Sequence, residues 1–518
     1  MIRQEPISND ELRRLPDVSA QQENLEMSER NSRQIWQDIV SLTDQSDSDI
    51  VRSLRIALLV LLGESANKPL WRQTLRLLLN NAPLLNLKKA RLPRVTEGQL
   101  VFFFVANDRL VMNHMLPVAL EADRRGLLGG IVGLDAVPDI PEFAGRIPMV
   151  TVNSLVSNLK FKQRTEVAAK SRIVFEEMSK MFSENNGNYA ERFRENNLVI
   201  LDYITTSIRA AMAFQVLYDA WRPSCVVSPS DLWPIHYQFS NQAASMRIPS
   251  VTIQHGISNF CSWPFVSELC CVWGEDFAEE MFRIGTPSGR LAVSGLPSTD
   301  RMFRQSKPAH YWQERGRSQP VCLFLSQTHG TESEPLIFAT YKQLISNVVR
   351  RMPLITWKVK LHPMEDDSFY RGLDKDVFSR LTFHPKETSL EEAVADADVV
   401  STTYSTSGLE AMIMGRPLII GPALPRVQEL AWWPAAGGGV YAESAEDFET
   451  QLTNLVSDRP RWTKHLEQQH SFLKKSFANQ GHAAQCVVDV LERYSRRGAA
   501  GAEKMDDSAS VSSVSLQS

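Results

Sequence analysis

The stretch Leu100-Val-Phe-Phe-Phe-Val105 decides the fold class, because it is a fully apolar run of strand length. Asn107-Asp108 follow it, and a helical pattern then runs from His114 to Arg125 and ends at Gly126. A buried strand followed by a helix is a βα unit, and repeated βα units form parallel sheets that helices cover on both faces. The stretch therefore predicts an α/β protein.

Further apolar runs extend this pattern into two series. Leu198-Val-Ile-Leu201 and Cys225-Val-Val-Ser228 are predicted strands of the first series, with a helix between them around Ile208 to Ala220. The second series comprises the predicted strands Val321-Cys-Leu-Phe-Leu325, Trp357-Lys-Val-Lys-Leu361, Val399-Val400 and Pro417-Leu-Ile-Ile420. Two series predict two doubly wound, Rossmann-like domains.

Shifts in composition indicate where the domains begin and end. Residues 1–94 are predicted to be a polar lead-in followed by a helical subdomain, and 95–296 the first Rossmann-like domain. Residues 297–320 mix Ser, Pro, Lys, Arg and Gln without a sustained strand pattern, which indicates a hinge linker. The second Rossmann-like domain is placed at 321–497, and the small, polar tail 498–518 is predicted to be disordered.

Overall charge and targeting signals exclude several classes of protein. The 518 residues include 56 Lys and Arg against 60 Asp and Glu, so no global basic field attracts nucleic acid, and we predict no nucleic-acid partner. The N-terminus lacks the apolar core of a secretory signal, and the apolar run Ile56 to Gly63 is too short to span a bilayer. We therefore predict a cytoplasmic protein, and peripheral contact with the inner face of a membrane stays open.

The residues that directly follow predicted strands are the candidates for ligand binding, because ligands of open α/β sheets lie at the carboxyl ends of the strands. Lys360-Leu-His362-Pro363 ends one strand of the second series. Its imidazole can donate to a phosphate oxygen or protonate a leaving group, and the proline stiffens the turn. The alternative is a histidine that only bonds a local carbonyl group.

A second candidate is the hydroxyl-rich segment Ser401 to Glu410, which lies between a strand and a helix that starts near Gly408. Ser405, Thr406 and Ser407 offer hydroxyls at a helix N-terminus, where a nucleotide phosphate binds favourably, and Glu410 can accept hydrogen bonds from a ribose or base. The alternative is a capping box, since Ser407 and Glu410 have the S-x-x-E spacing. Both interpretations can hold together.

Two further strand ends complete a series, and the series resembles a known group of enzymes. These are Gln254-His255-Gly256 and Gly295-Leu-Pro297-Ser-Thr-Asp300. Together with Lys360-Leu-His362-Pro363 and Ser405-Thr406-Ser407-Gly-Leu-Glu410, they resemble the HP and SS/ST motifs of sialyl-, polysialyl- and Kdo-type transferases. Those are GT-B transferases of bacterial surface and capsular polysaccharides, and the resemblance covers roughly 95–495.

The resemblance implies a GT-B fold, in which two Rossmann-like domains face a cleft, and a donor site in the second domain. It also implies that His362, Ser405 and Thr406 hold the phosphate of a CMP-activated donor. The chain further resembles CDP-glycerol polyol-phosphate transferases and, more distantly, non-hydrolysing UDP-N-acetylglucosamine 2-epimerases. It lacks the acidic DDG or EDG signature of the transferases in its N-terminal half.

Position alone therefore identifies the candidates for a catalytic base. Asp231 follows the strand Cys225 to Ser228 and is preferred, with His255 from the next strand to orient it. Asp108 occupies the corresponding place after Leu100 to Val105 and is the second candidate. The alternative for either carboxylate is a helix N-cap or a turn.

These observations predict a glycosyltransferase that moves a sugar from a nucleotide-activated donor, with a CMP-sugar favoured, to a surface glycan or lipid-linked glycan. We predict no cofactor and no metal, since no acidic pair stands at a strand end with a metal-binding role. A peripheral membrane or polysaccharide-assembly partner stays open. The alternatives are a polyol-phosphate transferase, a UDP-sugar 2-epimerase and a non-catalytic GT-B scaffold that binds glycans.

Overall fold

The structure is a computed structural model that describes most of the chain. The described residues are 33–62, 92–95, 98–105, 109–185, 187–254, 256, 262–305, 310–327, 335–362, 365–424, 427–428 and 431–500. Residues 1–32 of the predicted lead-in, 63–91 of the predicted helical subdomain and 501–518 of the predicted tail lie outside these residues, whereas residues 498–500 of that tail are helical.

The first sheet has seven parallel strands. They are β1 (Leu100–Phe104), β2 (Leu128–Gly133), β3 (Met149–Thr151), β4 (Cys225–Ser228), β5 (Ser250–Ile253), β6 (Leu269–Val272) and β7 (Leu291–Val293). Their order across the sheet is β3-β2-β1-β4-β5-β6-β7, and the register places Leu100 beside Cys225 and Val227 beside Val251. The strand order reverses between β1 and β4, which is the topological switch point of a doubly wound sheet.

Eleven labelled helices accompany this sheet in the described part of the chain. They are α1 (33–44), α2 (Asp49–Ser53), α3 (Arg55–Leu62), α4 (Arg109–Arg124), α5 (Val152–Ser157), α6 (Phe161–Asn185), α7 (Gly187–Glu195), α8 (Asn197–Trp221), α9 (Pro234–Ser245), α10 (Glu275–Arg283) and, from the end of the chain, α19 (Ala483–Ala500). Helices α1 to α3 pack with α6, α7 and α8 in an apolar cluster that includes Ile39, Leu58 and Phe182. Helices α1 to α3 lie within 1–94, the segment predicted to be a lead-in and a helical subdomain.

The second sheet has six parallel strands in the order β10-β9-β8-β11-β12-β13. They are β8 (Val321–Leu325), β9 (Thr356–Lys360), β10 (Leu381–Phe383), β11 (Val399–Thr402), β12 (Leu418–Ile420) and β13 (Val440–Tyr441). The helices of this unit are α11 (Asp300–Gln305), α12 (Pro335–Arg351), α13 (Ser368–Arg371), α14 (Lys375–Phe378), α15 (Leu390–Ala395), α16 (Ser407–Ile413), α17 (Ala445–Ser457) and α18 (Arg459–Ser476). This strand order reverses between β8 and β11.

The chain forms two compact units, each built on one sheet. The second unit is Thr299–Gly481, and the first combines the described residues before Thr299 with those from His482 onward. Helix α19 therefore belongs to the first unit, although the sequence-based boundary placed residues 483–497 in the second domain. Val487 and Leu491 of this helix are fully buried in the core of the first sheet.

The strand interiors explain why the chain folds in this way. All five residues of β1 and all five residues of β8 are buried, as expected for parallel strands that helices cover on both faces. The predicted fold class is confirmed: the protein is α/β, with two successive Rossmann-like sheets and a final helix that returns to the first unit, which is the GT-B class.

Some local predictions were wrong. The run Leu198 to Leu201 is not a strand but lies inside the 25-residue helix α8, which is apolar on several faces because it packs against both α6 and α9. Sequence patterns also missed β2, in which three of the six residues are glycine, and the three-residue strands β3 and β10. Such short runs carry too few residues to show a period of two.

No helix in the described part of the chain is both long enough and apolar enough to cross a membrane.

Candidate functional site

Three adjacent strand ends, two of them predicted as ligand-binding segments, lie at one edge of the second sheet. The backbone amide of Tyr404, after β11, donates to Oε1 of Gln327, after β8, at 3.0 Å. On the other side of β8, the amide of Ser326 donates to the carbonyl oxygen of Lys360 at 3.0 Å. The carboxyl ends of β9, β8 and β11 therefore form one continuous edge, where ligands of doubly wound sheets bind.

Lys360 and His362 occupy the β9 part of this edge. Lys360 is the last residue of β9 and is 9% exposed, and its Nζ donates to the carbonyl oxygen of Lys386 at 3.2 Å. Burial lowers the pKa of His362; the nearby Glu365 carboxylate opposes this shift and Lys360 adds to it. The imidazole of the ligand-free protein is therefore neutral near neutral pH, and an anionic ligand would favour its protonation.

A buried glutamate fixes the loop that carries this histidine. The amide of His362 donates to Oε2 of Glu365 at 3.2 Å, and the amide of Glu365 donates to the carbonyl oxygen of His362 at 2.9 Å. Glu365 is only 8% exposed. The loop is thus closed at both ends, which limits the positions that the imidazole can adopt.

The hydroxyl-rich turn lies after β11. The hydroxyl oxygens of Ser405 and Ser407 are 2.6 Å apart, and the amide of Ser407 donates to the hydroxyl of Ser405 at 3.3 Å. Ser405, Thr406 and Ser407 are half-buried, so a ligand can reach them. Hydroxyls in such a turn can rotate to donate to a phosphate oxygen.

The start of the helix after this turn differs from what both interpretations of the sequence predict. Helix α16 begins at Ser407 and has Thr406 as its N-cap, with no hydrogen bond from the cap side chain, so the predicted capping box of Ser407 and Glu410 is not formed. The amides of Gly408 and Leu409 donate to the carbonyl oxygens of Ser405 and Thr406, both at 3.0 Å. Hydroxyls rather than helix amides are therefore the donors that this turn offers to an anion.

Sequence reasoning missed three residues at this edge. Ser326 and Gln327 directly follow β8, so the same strand-end rule identifies them once the strand is located. Glu365 stands three residues after His362, a spacing at which an acidic side chain can reach back to a backbone amide. Its role depends on the turn between them, which the sequence motif does not reveal.

Asp231, the predicted base in the first sheet, is buried and already hydrogen-bonded to the backbone. Asp231 is 2% exposed, and its Oδ2 accepts hydrogen bonds from the amides of Val266 and Ser267 at 2.8 and 2.7 Å. Burial raises the pKa of Asp231, while these amides and the nearby Arg290 oppose the rise. The geometry resembles the turn-acid alternative, because the carboxylate anchors the segment before β6.

The other predicted site residues lie outside the described residues. They are Asp108 and His255 of the proposed catalytic group and Pro363 of the donor motif. Their roles stay predictions.

Two acidic residues near the second sheet, Asp396 and Asp398, form ion pairs with basic side chains. Asp398 is bound by Arg315 at 2.5 Å and by Arg317 at 3.0 Å, and Asp396, the C-cap of α15, pairs with Arg317 and Lys358. Among the described residues, no group of three His, Cys, Asp or Glu side chains is arranged to hold a metal ion. Metal independence stays a prediction.

Comparisons with known proteins return structural likeness alone. No protein-family model and no curated protein matches the chain. The fold is similar to a UDP-GlcNAc 2-epimerase from Neisseria meningitidis bound to UDP-GlcNAc, at 14% identity over 76% of this chain and 99% of that chain with a TM-score of 0.48.

Two further solved structures show the same degree of likeness. A putative UDP-N-acetylglucosamine 2-epimerase from Listeria monocytogenes is 11% identical over 79% of this chain and 98% of its own, with a TM-score of 0.49. The calicheamicin glycosyltransferase CalG4 is 14% identical over 77% of this chain and 98% of its own, with a TM-score of 0.45. At TM-scores below 0.5, such likeness does not establish a shared activity.

Proposed function

We propose that the protein is a glycosyltransferase that moves a sugar from a nucleotide-activated donor to a glycan acceptor. The donor binds in the second unit, with a CMP-sugar favoured, and its phosphate contacts His362, Ser405 and Thr406. Lys360 supplies positive charge beside them, and Ser407 and Glu410 contact the remainder of the nucleotide.

The observation that carries this proposal is that His362 and the Ser405–Ser407 turn follow β9 and β11, the two strands that flank β8, at the same edge of the sheet. An imidazole, an ammonium group and three half-buried hydroxyls are all groups that bind a phosphate oxygen. They stand where doubly wound sheets bind nucleotides. A structural role does not require ligand-accessible hydroxyls at the same sheet edge as a histidine.

The chemistry follows from the charge that develops during transfer. As the bond from the sugar to the phosphate breaks, negative charge grows on the phosphate oxygens, and donors fixed around them stabilise it. The loop closed by Glu365 keeps the imidazole in place, so little reorganisation accompanies the step. A base must also take the proton of the acceptor hydroxyl; Asp231 and Asp108, with His255 to orient the base, remain the proposed candidates.

A panel of nucleotides tests the donor site directly. Thermal unfolding is followed with CMP, CDP, UDP and GDP, and we expect one of them, CMP first, to stabilise the protein. A nucleotide present at about 100 times its dissociation constant adds about 2.7 kcal/mol to the free energy of unfolding. The donor-site proposal fails if none of the four shifts the unfolding transition.

Product analysis then separates transfer from the alternatives. A UDP-sugar incubated alone is converted to its 2-epimer by an epimerase, but a transferase leaves the sugar configuration unchanged until an acceptor is added. A polyol-phosphate transferase releases CMP from CDP-glycerol and transfers a phosphate-containing group. A scaffold binds without turnover. Parallel reactions with EDTA test the predicted metal independence.

A further inference from the structure

The first unit contains a large cavity that has no part in the proposed donor site. Its volume is about 770 Å³, within the usual range of ligand pockets, and its walls come from helices α1 to α3, the segment Trp263 to Val266 and the end of α10. Every residue that lines it belongs to this unit. Any ligand of the cavity is therefore recognised without the second sheet.

The lining of the cavity carries an excess of positive charge. Among the described residues that line it are four arginines, namely Arg33, Arg52, Arg55 and Arg283, and one carboxylate, that of Asp44. Guanidinium groups are planar, permanently charged and suited to carboxylate and phosphate oxygens. The cavity therefore favours an anionic ligand.

Two of these guanidinium groups are held in fixed positions. Arg55 donates to the hydroxyl of Thr43 at 2.8 Å and pairs with Asp44. Arg52 donates to the carbonyl oxygen of Ser46 at 2.7 Å and pairs with Asp49. These bonds hold the side chains of Arg52 and Arg55 in place. Because each guanidinium is paired with a carboxylate, little of the positive charge of these two residues is free to bind a ligand.

Arg283 differs from these two arginines. It is the last residue of α10 and is exposed, and among the residues that the structure describes it has no ion pair. A cation at the rim of a cavity with fixed walls is available to bind an incoming anion. Its guanidinium is therefore one that an incoming anion can reach.

An aromatic ring at the rim gives the ligand a flat surface to pack against. Trp263 is half-buried, whereas Trp36, Tyr237 and Phe265 are buried. The guanidinium of Arg290 lies 5.2 Å from the centroid of the Trp263 ring, and the ring of Phe265 packs edge-on at a centroid distance of 5.2 Å. The indole is thus fixed from two sides.

Neutral polar side chains complete the lining. Gln37 and Ser41 on α1 contribute an amide and a hydroxyl, which can both donate and accept hydrogen bonds. A single accessible ring, neutral hydrogen-bonding groups and a rim cation match a molecule with a flat apolar face, many hydroxyls and a negative charge. A saccharide with acidic groups has these three properties.

We infer that this cavity binds an acidic carbohydrate, whose carboxylate or phosphate pairs with Arg283 and whose sugar ring packs on Trp263. The site is independent of the proposed donor site, because none of its residues belongs to the second unit.

The test is isothermal titration of the full chain with carbohydrates that differ in charge, two of which, trigalacturonate and maltotriose, are matched in size. Trigalacturonate represents a carboxylated ligand, glucose 1-phosphate a phosphorylated one and maltotriose a neutral one. We expect trigalacturonate or glucose 1-phosphate to bind about tenfold tighter than maltotriose, and this difference to shrink as NaCl rises from about 0.05 to about 0.5 M. Equal affinities for charged and neutral ligands overturn the inference.

Variants of Arg283 locate the binding. Arg283→Gln should weaken binding of the acidic ligand about fivefold or more, and Arg283→Lys should restore part of the affinity because it keeps the charge. Arg194→Gln, at an exposed arginine of the same unit that does not line the cavity, is the matched control and should bind as the wild type does. Unchanged binding by Arg283→Gln rejects this site.

CMP is the final arm of the titration. If CMP displaces trigalacturonate from the wild-type protein and Arg283→Gln weakens both equally, the cavity is a nucleotide site and the inference is wrong. If CMP binds without displacing trigalacturonate, two separate sites exist, as we expect. If only the proposed donor site is wrong, CMP does not bind, whereas trigalacturonate still binds.

Discussion

The two sheets have the same strand order at their centres but use their strand ends in different ways. After β4 in the first sheet, the carboxylate of Asp231 is buried and bound by two backbone amides. After β11 in the second sheet, Ser405 to Ser407 are half-buried, and the hydroxyl oxygens of Ser405 and Ser407 are 2.6 Å apart. One polar strand end therefore anchors a loop, and the other can bind a ligand.

The difference shows that a polar residue after a parallel strand is a candidate for ligand binding only if its polar groups are not already hydrogen-bonded within the protein. Topology brings such residues to the edge of the sheet. Burial and the backbone amides of distant segments then decide whether they can still bind a ligand. Substitutions at both strand ends and a change of pH test this contrast.

Replacing His362 should have the largest effect. We expect His362→Ala to lower the rate of transfer by about 100-fold or more, since an acid or hydrogen-bond donor at the leaving group contributes about that much. The free energy of unfolding in urea should stay close to the wild-type value, because the imidazole lies on a loop at the sheet edge. Activity of half the wild-type rate or more would remove His362 from the site.

Removing two hydroxyls from the turn after β11 should weaken nucleotide binding. Hydrogen bonds to a charged group contribute about 1.5 to 3 kcal/mol each, so the double variant Ser405→Ala, Thr406→Ala should lose at least about tenfold in affinity by calorimetry. Ser389→Ala is a matched control in the same unit, because the hydroxyl of Ser389 caps α15. The control should lose stability without losing affinity; equal affinity of the double variant and the wild type would show that the turn is structural.

The architecture was predictable from the sequence because buried parallel strands appear as continuous apolar runs. The five apolar residues of β1 and of β8 are unmistakable, and the strand-end rule then identified His362 and the Ser405–Ser407 turn. The return of α19 to the first unit was not predictable, since it depends on contacts with strands more than 250 residues earlier in the sequence, such as β4. The hydrogen bonds of Asp231 were not predictable for the same reason, because its partners lie 35 and 36 residues away in the sequence.

A conservative change at Asp231 tests whether the strand end in the first sheet anchors a loop. Asp231→Asn keeps one acceptor oxygen for the amides of Val266 and Ser267 but loses the charge, so we expect the free energy of unfolding to fall by about 1 kcal/mol. Donor affinity and the transfer rate of the folded enzyme should change little if the carboxylate is an anchor. A loss of transfer with intact donor binding would instead identify Asp231 as the base. If Asp108→Asn alone loses transfer, the base is Asp108.

The smallest effect should be a pH dependence of donor binding. In the ligand-free protein burial holds the pKa of His362 below its usual value, so the imidazole is neutral at pH 8. A bound phosphate favours the protonated ring and raises its pKa, so binding takes up a proton and affinity should rise as pH falls, by about threefold between about pH 8 and about pH 6. A nucleotide-sugar is the suitable ligand, because its phosphate diesters do not titrate in this range. His362→Gln should abolish the slope, whereas His310→Gln, at an exposed histidine of the same unit, should retain it. An identical slope in His362→Gln would show that the proton is taken up elsewhere, and the second sheet would then bind its ligand through hydroxyls and Lys360 without the imidazole.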